Sequence, residues 1–350
     1  MKIWDGGFPT AAQPAKPQKL KTKNRQLNML RISEYSAMAE AAIREISLPS
    51  GNLDALYSPI TYGMQAGGKR LRPTLLLMAA DAFGNCPEKA IAAAVGIEMF
   101  HNFTLLHDDV MDKSDVRRGR PSVHAKWDDN TAILSGDTML TLATKKISEV
   151  DDSILRPVLD TFNDQALRVY EGQRLDMDFE KMDEVNLDEY IEMIKDKTGA
   201  LLGGAAKIGA LIGGASAEDA EKMYEFGMML GVAFQIEDDY LDTFGNADTF
   251  GKPIGGDINN NKKTFLMVKA LANGGSNAQA LKAALSMAPS PTKVKTVTRI
   301  YETMGMPAVS KAEVAAYSSK ALAAIKKTSL SDDRREAFRR LIEKLIGRTK

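Results

Sequence analysis

The chain holds a single cysteine, Cys86, so it cannot close an internal disulfide, and a reducing cytoplasm is the compartment this implies. Histidine is almost as scarce: His101, His107 and His124 form neither an HExxH pair nor a zinc spacing. Net charge is missing as well. Lys+Arg and Asp+Glu both number 46, which gives no footing for a nucleic-acid or generally acidic partner. Long apolar runs are lacking. "AIAAAVGIEMFHNFTLL" is interrupted by Glu98, His101 and Asn102, and "ALLGGAAKIGALIGGA" by Lys207 and several glycines. Neither offers the ~20 apolar residues of a membrane span, so buried helices are expected instead. Alternating β-branched stretches and a strand–helix–strand rhythm are scarce too.

What remains is material for helices. The 350 residues are 44% hydrophobic and 26% charged, an ordinary globular balance with length enough for a large core. Ala, Leu, Met, Lys and Glu dominate the long segments. Punctuation falls at Pro49-Ser50-Gly51, Gly67-Gly68, Gly84 to Pro87, Gly119 to Pro121, Gly245 to Gly256 and Pro289 to Pro291. The last segment is plainly amphipathic. Phe338, Leu341, Ile342, Leu345 and Ile346 recur at helical spacing, with Asp332 and Asp333 in the first turn and Gly347 to close it. No repeat with a period of 20–50 residues is visible. Residues 1–28 carry six cations (Lys2, Lys16, Lys19, Lys21, Lys23, Arg25) against Asp5. They read as a flexible leader or tag rather than a secretory signal or transit peptide, with the folded domain at 29–350.

One short pattern recurs. "HDDVMD" at 107–112 is matched by "EDDYLD" at 237–242, 130 positions on, and each follows an apolar helical segment. On a helix, positions i, i+1 and i+4 fall within about 100° of arc. Asp108, Asp109 and Asp112 then share a face, as do Asp238, Asp239 and Asp242. A single DDxxD is ordinarily a solvated acidic face. Two copies at the ends of apolar helices need cations, and oxygen-only ligands with open geometry suit Mg2+.

Cations are at hand in short clusters bounded by Gly or Pro. "AGGKRLRP" offers Lys69, Arg70 and Arg72; "DVRRGRP" offers Arg117, Arg118 and Arg120. "DKTGA" offers Lys197 beside Thr198, and "GKPIGGDINNNKKT" offers Lys252, Lys262 and Lys263. Arg suits fork-like contact with phosphate and Lys supplies a point charge. The GGK stretch is not a P-loop, because Arg70 follows Lys69. His101 lies seven residues before Asp108 and returns to the same face. A polar role near phosphates and a hydrogen-bonded core position are both open to it.

Taken in order, "GGKRLRP", "LLHDDVMDKSDVRRGRPSVH", "AILSGD", "KTGAL", "FQIEDDYLD" and "GKPIGGDINNNKKT" resemble the trans-isoprenyl diphosphate synthase (polyprenyl synthetase) family across residues 30–350. The resemblance implies an all-α, single-domain isoprenoid synthase fold, with helices around a deep central apolar cavity, and a homodimer. It implies head-to-tail prenyl transfer. An allylic diphosphate loses pyrophosphate, isopentenyl diphosphate attacks the cation, and a proton leaves to the pyrophosphate. By position, Asp108, Asp109, Asp112 and Asp238 would ligate Mg2+, in a cluster of three ions, with Asp239 and Asp242 supporting or acting through water. Arg117, Lys197, Lys252 and Lys262 would hold the allylic diphosphate. Lys69, Arg72, His101 and Arg118 would hold isopentenyl diphosphate, and Thr198 and Gln235 would stabilise the cation. Asn260 and Asn261 depart from the family, where Glu-Gly is common, and so does Asp128, where Gly is common.

Product length in the family follows the bulk below the first aspartate motif. Phe103 stands fifth before Asp108 and Thr104 fourth, and only two residues separate the aspartate pair from Asp112. This resembles the archaeal-type C20 pattern, so geranylgeranyl diphosphate is the expected product, with farnesyl diphosphate or a C25 product as alternatives. A terpene cyclase would not need Lys69, Arg72 and Arg118. A non-catalytic subunit would ordinarily have lost an aspartate motif.

Overall fold

The computed structural model describes residues 29–246 and 254–346. The leader expected at 1–28, Lys252 and Gly347 lie outside them. The described chain is all-α apart from one two-residue hairpin. Its helices are α1 (Ile32–Arg44), α2 (Asp54–Met64), α3 (Leu71–Gly84), α4 (Ile91–Met111), α5 (Val123–Lys126), α6 (Asp129–Ile147), α7 (Asp152–Phe179) and α8 (Leu187–Ile194). After a π-turn (Lys195–Gly199) come α9 (Ala200–Ile212), α10 (Ala217–Phe244), α11 (Gly256–Asn259), α12 (Phe265–Ala272), α13 (Gly275–Leu285), α14 (Pro291–Thr303), α15 (Met306–Lys326) and α16 (Asp332–Ile346). The hairpin, β1 (Val116–Arg117) and β2 (Arg120–Pro121), pairs Arg117 with Arg120.

The two apolar stretches noted above become α4 and α9. In α4 the first two-thirds is core, with Ala93, Ile97, Met99, Phe100 and Phe103 buried, and its one acid there, Glu98, is paired with Arg70; the aspartates come only in the last turns. The helix α9 is buried along almost its whole length, from Ala200 through Ala210. It packs against α3, α7 and α10. Side-chain caps set the starts of the long helices: Asp128 accepts from Thr131 N at 2.8 Å and Ser216 from Asp219 N at 3.1 Å. The amphipathic last segment forms α16 and buries Phe338, Leu341, Ile342 and Leu345, with Phe338 edge-on to Phe226. No described helix is long and apolar enough to cross a membrane.

Candidate active site

Both aspartate motifs fall at helix C-termini. Asp108 and Asp109 lie in the last turn of α4, Asp112 is its C-cap, and Asp238, Asp239 and Asp242 occupy the last turns of α10. That end of a helix carries partial negative charge, so the carboxylates in or capping the last turn, Asp108, Asp109, Asp112 and Asp242, each cost about 0.3–1 kcal/mol before any partner is counted. Cations must compensate, and the structure supplies them from four other segments.

At the first motif, Asp109 is buried and accepts from Arg117 Nε at 2.9 and 3.1 Å and from Nη2 at 2.5 Å. Burial raises the pKa of Asp109, and Arg117 pulls part of that back. The hairpin makes this contact possible. Arg118 and Gly119 form its turn with φ of 53° and 72°, the pair of positive values a tight two-residue turn requires. The turn sends Arg118 the other way, to donate through Nη1 to the Gly67 carbonyl. Asp108 is pushed up to about 6, chiefly by burial, with Lys197 opposing and Asp112 adding to the rise. It is a carboxylate short of counter-charge.

Two lysines gather beside it. Lys197 donates to Asp176 Oδ2, and Lys262 lies 3.5 Å from Asp176, 3.8 Å from Asp112 and 3.9 Å from Glu180. Burial lowers the Lys262 pKa, but Asp176, Asp112, Asp257 and Glu180 outweigh it and hold the ammonium charged. Lys197 reaches this place because Gly172 of α7 has no side chain. A Cβ there would stand 2.2 Å from the Lys197 backbone nitrogen. The next residue, Thr198, donates to Gln235 Oε1 at 3.0 Å, and Gln235 Nε2 donates to Asp239 Oδ1 at 2.9 Å. This chain of contacts runs from the first motif to the second.

In the second motif the three aspartates differ. Asp239 is buried and also accepts from Tyr190 OH at 2.5 Å and Phe265 N at 2.8 Å. Burial pushes its pKa up to about 7, with Asp257 adding to the rise and these donors opposing it. Asp242 accepts from Asp257 N at 3.0 Å, and its carbonyl accepts from Gly255 N at 2.7 Å, which ties down the segment that leads to Lys262. Asp238 faces Lys69, whose ammonium is 3.9 Å away and 5.1 Å from the Phe234 ring centre.

A separate basic pocket forms where α3, α4 and the hairpin meet. Arg70 is a structural member: it is buried and donates to Glu40 at 2.8 Å, Glu98 at 2.7 Å and the Met64 carbonyl at 2.6 Å. Arg72 is different. Its Nε is buried with no partner, and burial holds its pKa down to about 10, with Glu98 opposing and Arg118 adding. Arg118 is lowered by burial too, against Glu98. His101 lies well below its usual value through burial and the charges of Arg72 and Arg118, so it is neutral at pH 7. Arg72, Arg118 and His101 make a pocket with more positive charge than partners.

Below the first motif, the Phe103 ring is 4.8 Å from His107, 5.5 Å from Phe100 and 6.0 Å from Tyr170, centre to centre. Thr104 spends its hydroxyl on the His101 carbonyl at 2.8 Å. The sequence reading missed Asp176, which anchors both lysines, and Gln173, one turn earlier on α7, whose buried amide has no partner. It also missed Tyr190. A signal for the first existed in Asp176 following Gly172 at i+4. A cleft of about 1500 Å³ opens beside Asp112, Lys113, Glu180, Asn261 and Lys262.

Comparisons with known proteins bear on the family and the fold. The family model described as Polyprenyl synthetase matches residues 53–304. The geranylgeranyl diphosphate synthase of Methanosarcina mazei is 42% identical over 245 residues, covering 69% of this chain and 75% of that protein. The geranylfarnesyl diphosphate synthase of Natronomonas pharaonis is 38% identical over 261 residues, covering 69% and 76%. A solved structure of a geranylgeranyl pyrophosphate synthase superposes with a TM-score of 0.87 at 38% identity, covering 92% of this chain and 100% of that one.

Proposed function

The chain belongs to the polyprenyl synthetase family and is a prenyltransferase, and we propose that it joins isopentenyl diphosphate to an allylic diphosphate head to tail and stops at geranylgeranyl diphosphate. One observation carries the reading: two aspartate clusters at helix C-termini, interleaved with Lys197, Lys262 and Arg117 and lying beside a basic pocket short of anions.

The donor set fits Mg2+. Asp108 is only partly offset by Lys197, Arg117 and Lys262, while Asp239 and Asp242 accept from protein donors, which supports a place for those two behind the ligands; Asp109 would share its carboxylate between the metal and Arg117. Asp108, Asp109, Asp112 and Asp238 would hold the metal, in a cluster of three ions. Among the described residues no three acidic, His or Cys side chains close on a common point. When bound, Mg2+ neutralises the charge that builds on departing pyrophosphate. Arg117, Lys197 and Lys262 would grip the allylic diphosphate, with Lys252 from outside the described residues. Arg72, Arg118 and His101, joined by Lys69, would hold isopentenyl diphosphate. Thr198, oriented by its bond to Gln235, would turn its oxygen toward the allylic cation. The proton lost after bond formation would go to pyrophosphate.

Phe103 and Thr104 would set the C20 length, in keeping with the geranylgeranyl names of the Methanosarcina mazei relative and the solved structure; C15 or C25, the latter the product named for the Natronomonas pharaonis relative, are the competing products. Exposed Ile133, Leu134 and Leu167 on α6 and α7 support a homodimer, and the lone free cysteine supports a cytoplasmic setting. Incubation with labelled isopentenyl diphosphate, Mg2+ and each allylic primer tests the reading. A dominant C20 alcohol after dephosphorylation is expected. No Mg2+-dependent product from any primer would refute it.

A further inference from the structure

Lys197 and Thr198 sit in the π-turn Lys195–Gly199, where the chain departs from α-helical geometry between α8 and α9. Such turns are rare and cluster at functional sites, and surrounding contacts must hold them. Here one stripe of α7 does so. Arg168, Gly172 and Asp176 stand four residues apart on a single helix face. Asp176 takes the Lys197 ammonium, and Gly172 admits the Lys197 backbone. Arg168 takes the residue before: its Nε and Nη2 reach Asp196 Oδ1 at 2.7 and 2.6 Å. Its Nη1 donates to Tyr224 OH at 2.6 Å, and that hydroxyl donates to Gln165 Oε1 at 2.9 Å. The π-turn is therefore gripped at two places about 12 Å apart along α7, and the far grip is braced from α10.

We infer that Arg168, through Asp196 and with Tyr224 as its brace, is a positioning residue that fixes the π-turn and so sets the aim of Lys197 and Thr198. The inference rests on the roles proposed above for those two residues. Magnitudes favour positioning over bulk stability. The Arg168 and Asp196 side chains are 34% and 18% exposed, so the pair is part-buried, and a substitution that keeps a cation beside Asp196 avoids leaving that carboxylate uncompensated. A displacement of about 1 Å at reacting groups, by contrast, can cost about 100-fold in rate.

The test is a cycle of variants in the full-length enzyme: Arg168→Lys, Tyr224→Phe, the double Lys197→Ala Thr198→Ala, and Arg168→Lys on that double. Arg168→Lys keeps the charge but cannot serve Asp196 and Tyr224 together. It should lower kcat about 10- to 100-fold, leave KM for isopentenyl diphosphate within about twofold, and leave the melting temperature near that of the parent. Tyr224→Phe, which removes only the brace, should give a smaller loss of the same kind. On the double background Arg168→Lys should have almost no further effect, since nothing remains to be aimed. Parent-like kcat in Arg168→Lys, or an equal loss in both backgrounds, overturns the positioning role alone. Full activity in Lys197→Ala Thr198→Ala overturns the roles of those two residues and the positioning role with them.

Discussion

Phe103→Ala separates a cavity floor from an ordinary core aromatic because the two predict different pairs of results. Phe103 is only 6% exposed and touches three rings. Were it packed on every side, its loss would cost about 3–5 kcal/mol, or roughly 4–7 °C in melting temperature for a chain of this size. If one face instead borders the space filled by the prenyl tail, the loss reduces toward the three ring contacts, about 0.5–1.5 kcal/mol each. Product length is the second readout. The next aromatic on α4 is Phe100, three residues deeper, which is about 4.5 Å along the helix. That depth matches one further five-carbon unit, so C25 should displace C20 with no open ladder beyond it. The assay uses labelled isopentenyl diphosphate with farnesyl diphosphate and Mg2+, chain-length analysis of the alcohols, and thermal melting of the same preparations. An unchanged C20 product would refute the floor, and a fall in melting temperature of about 6 °C or more beside it would mark Phe103 as an ordinary core aromatic. Products of C30 or longer would refute Phe100 as the next stop.

Three other outcomes are expected. In EDTA, Asp108→Asn should melt higher than the parent at pH 8 but not at pH 4. The folded pKa of about 6 stands above the unfolded value, so the carboxylate costs stability as pH climbs from about 4 to about 6, on the order of 3 kcal/mol. Equal melting shifts at both pH values would refute this. With Mg2+ and substrates the same variant should lose about 100- to 1000-fold in kcat. His101→Gln should raise KM for isopentenyl diphosphate about tenfold. Because His101 is held neutral far below its usual pKa, the KM profiles of parent and variant should run parallel from pH 6 to 8; curves that converge at the acid end would refute a neutral His101. Gly172→Ala, whose Cβ would meet the Lys197 backbone at 2.2 Å, should displace the π-turn and cut kcat about 100-fold. Parent-like turnover there would refute the close approach.

Much of this was legible in the sequence for a physical reason. Helical periodicity and the lack of strand patterns gave the all-α class, and α16 runs over the apolar residues that marked it. The aspartate pairs were visible because the residues of each motif are local on one helix. What escaped was non-local. Asp176 earns its role only through lysines 21 and 86 residues away, and no single-helix pattern reveals that. Arg70 and Arg72 look alike in "KRLRP", yet one is consumed by Glu40 and Glu98 while the other keeps a buried Nε without a partner. The π-turn is invisible to periodicity, since "IKDKTGALL" reads as continuous helix until α7 and α10 are packed against it.

The placement of both motifs at helix C-termini argues that stability and function oppose each other here. Aspartates at a helix N-terminus would have been favoured by the dipole; at the C-terminus they are disfavoured, and burial deepens the cost for Asp108. The chain offsets this only in part, with Arg117 on Asp109 and with Lys262 shared among Asp112, Asp176 and Glu180 at 3.5–3.9 Å, distances too long for close pairing. A carboxylate cluster left under-neutralised in this way attracts a cation more strongly than one already paired. The same logic, with the sign reversed, applies to Arg72 and Arg118, whose mutual repulsion beside the neutral His101 is relieved by an anion. The hairpin turn joins the two halves. By sending Arg117 to the carboxylates and Arg118 to the basic pocket, it would let adjacent residues serve two diphosphates in the proposed reaction, and it fixes the distance between the two side chains' origins through the backbone.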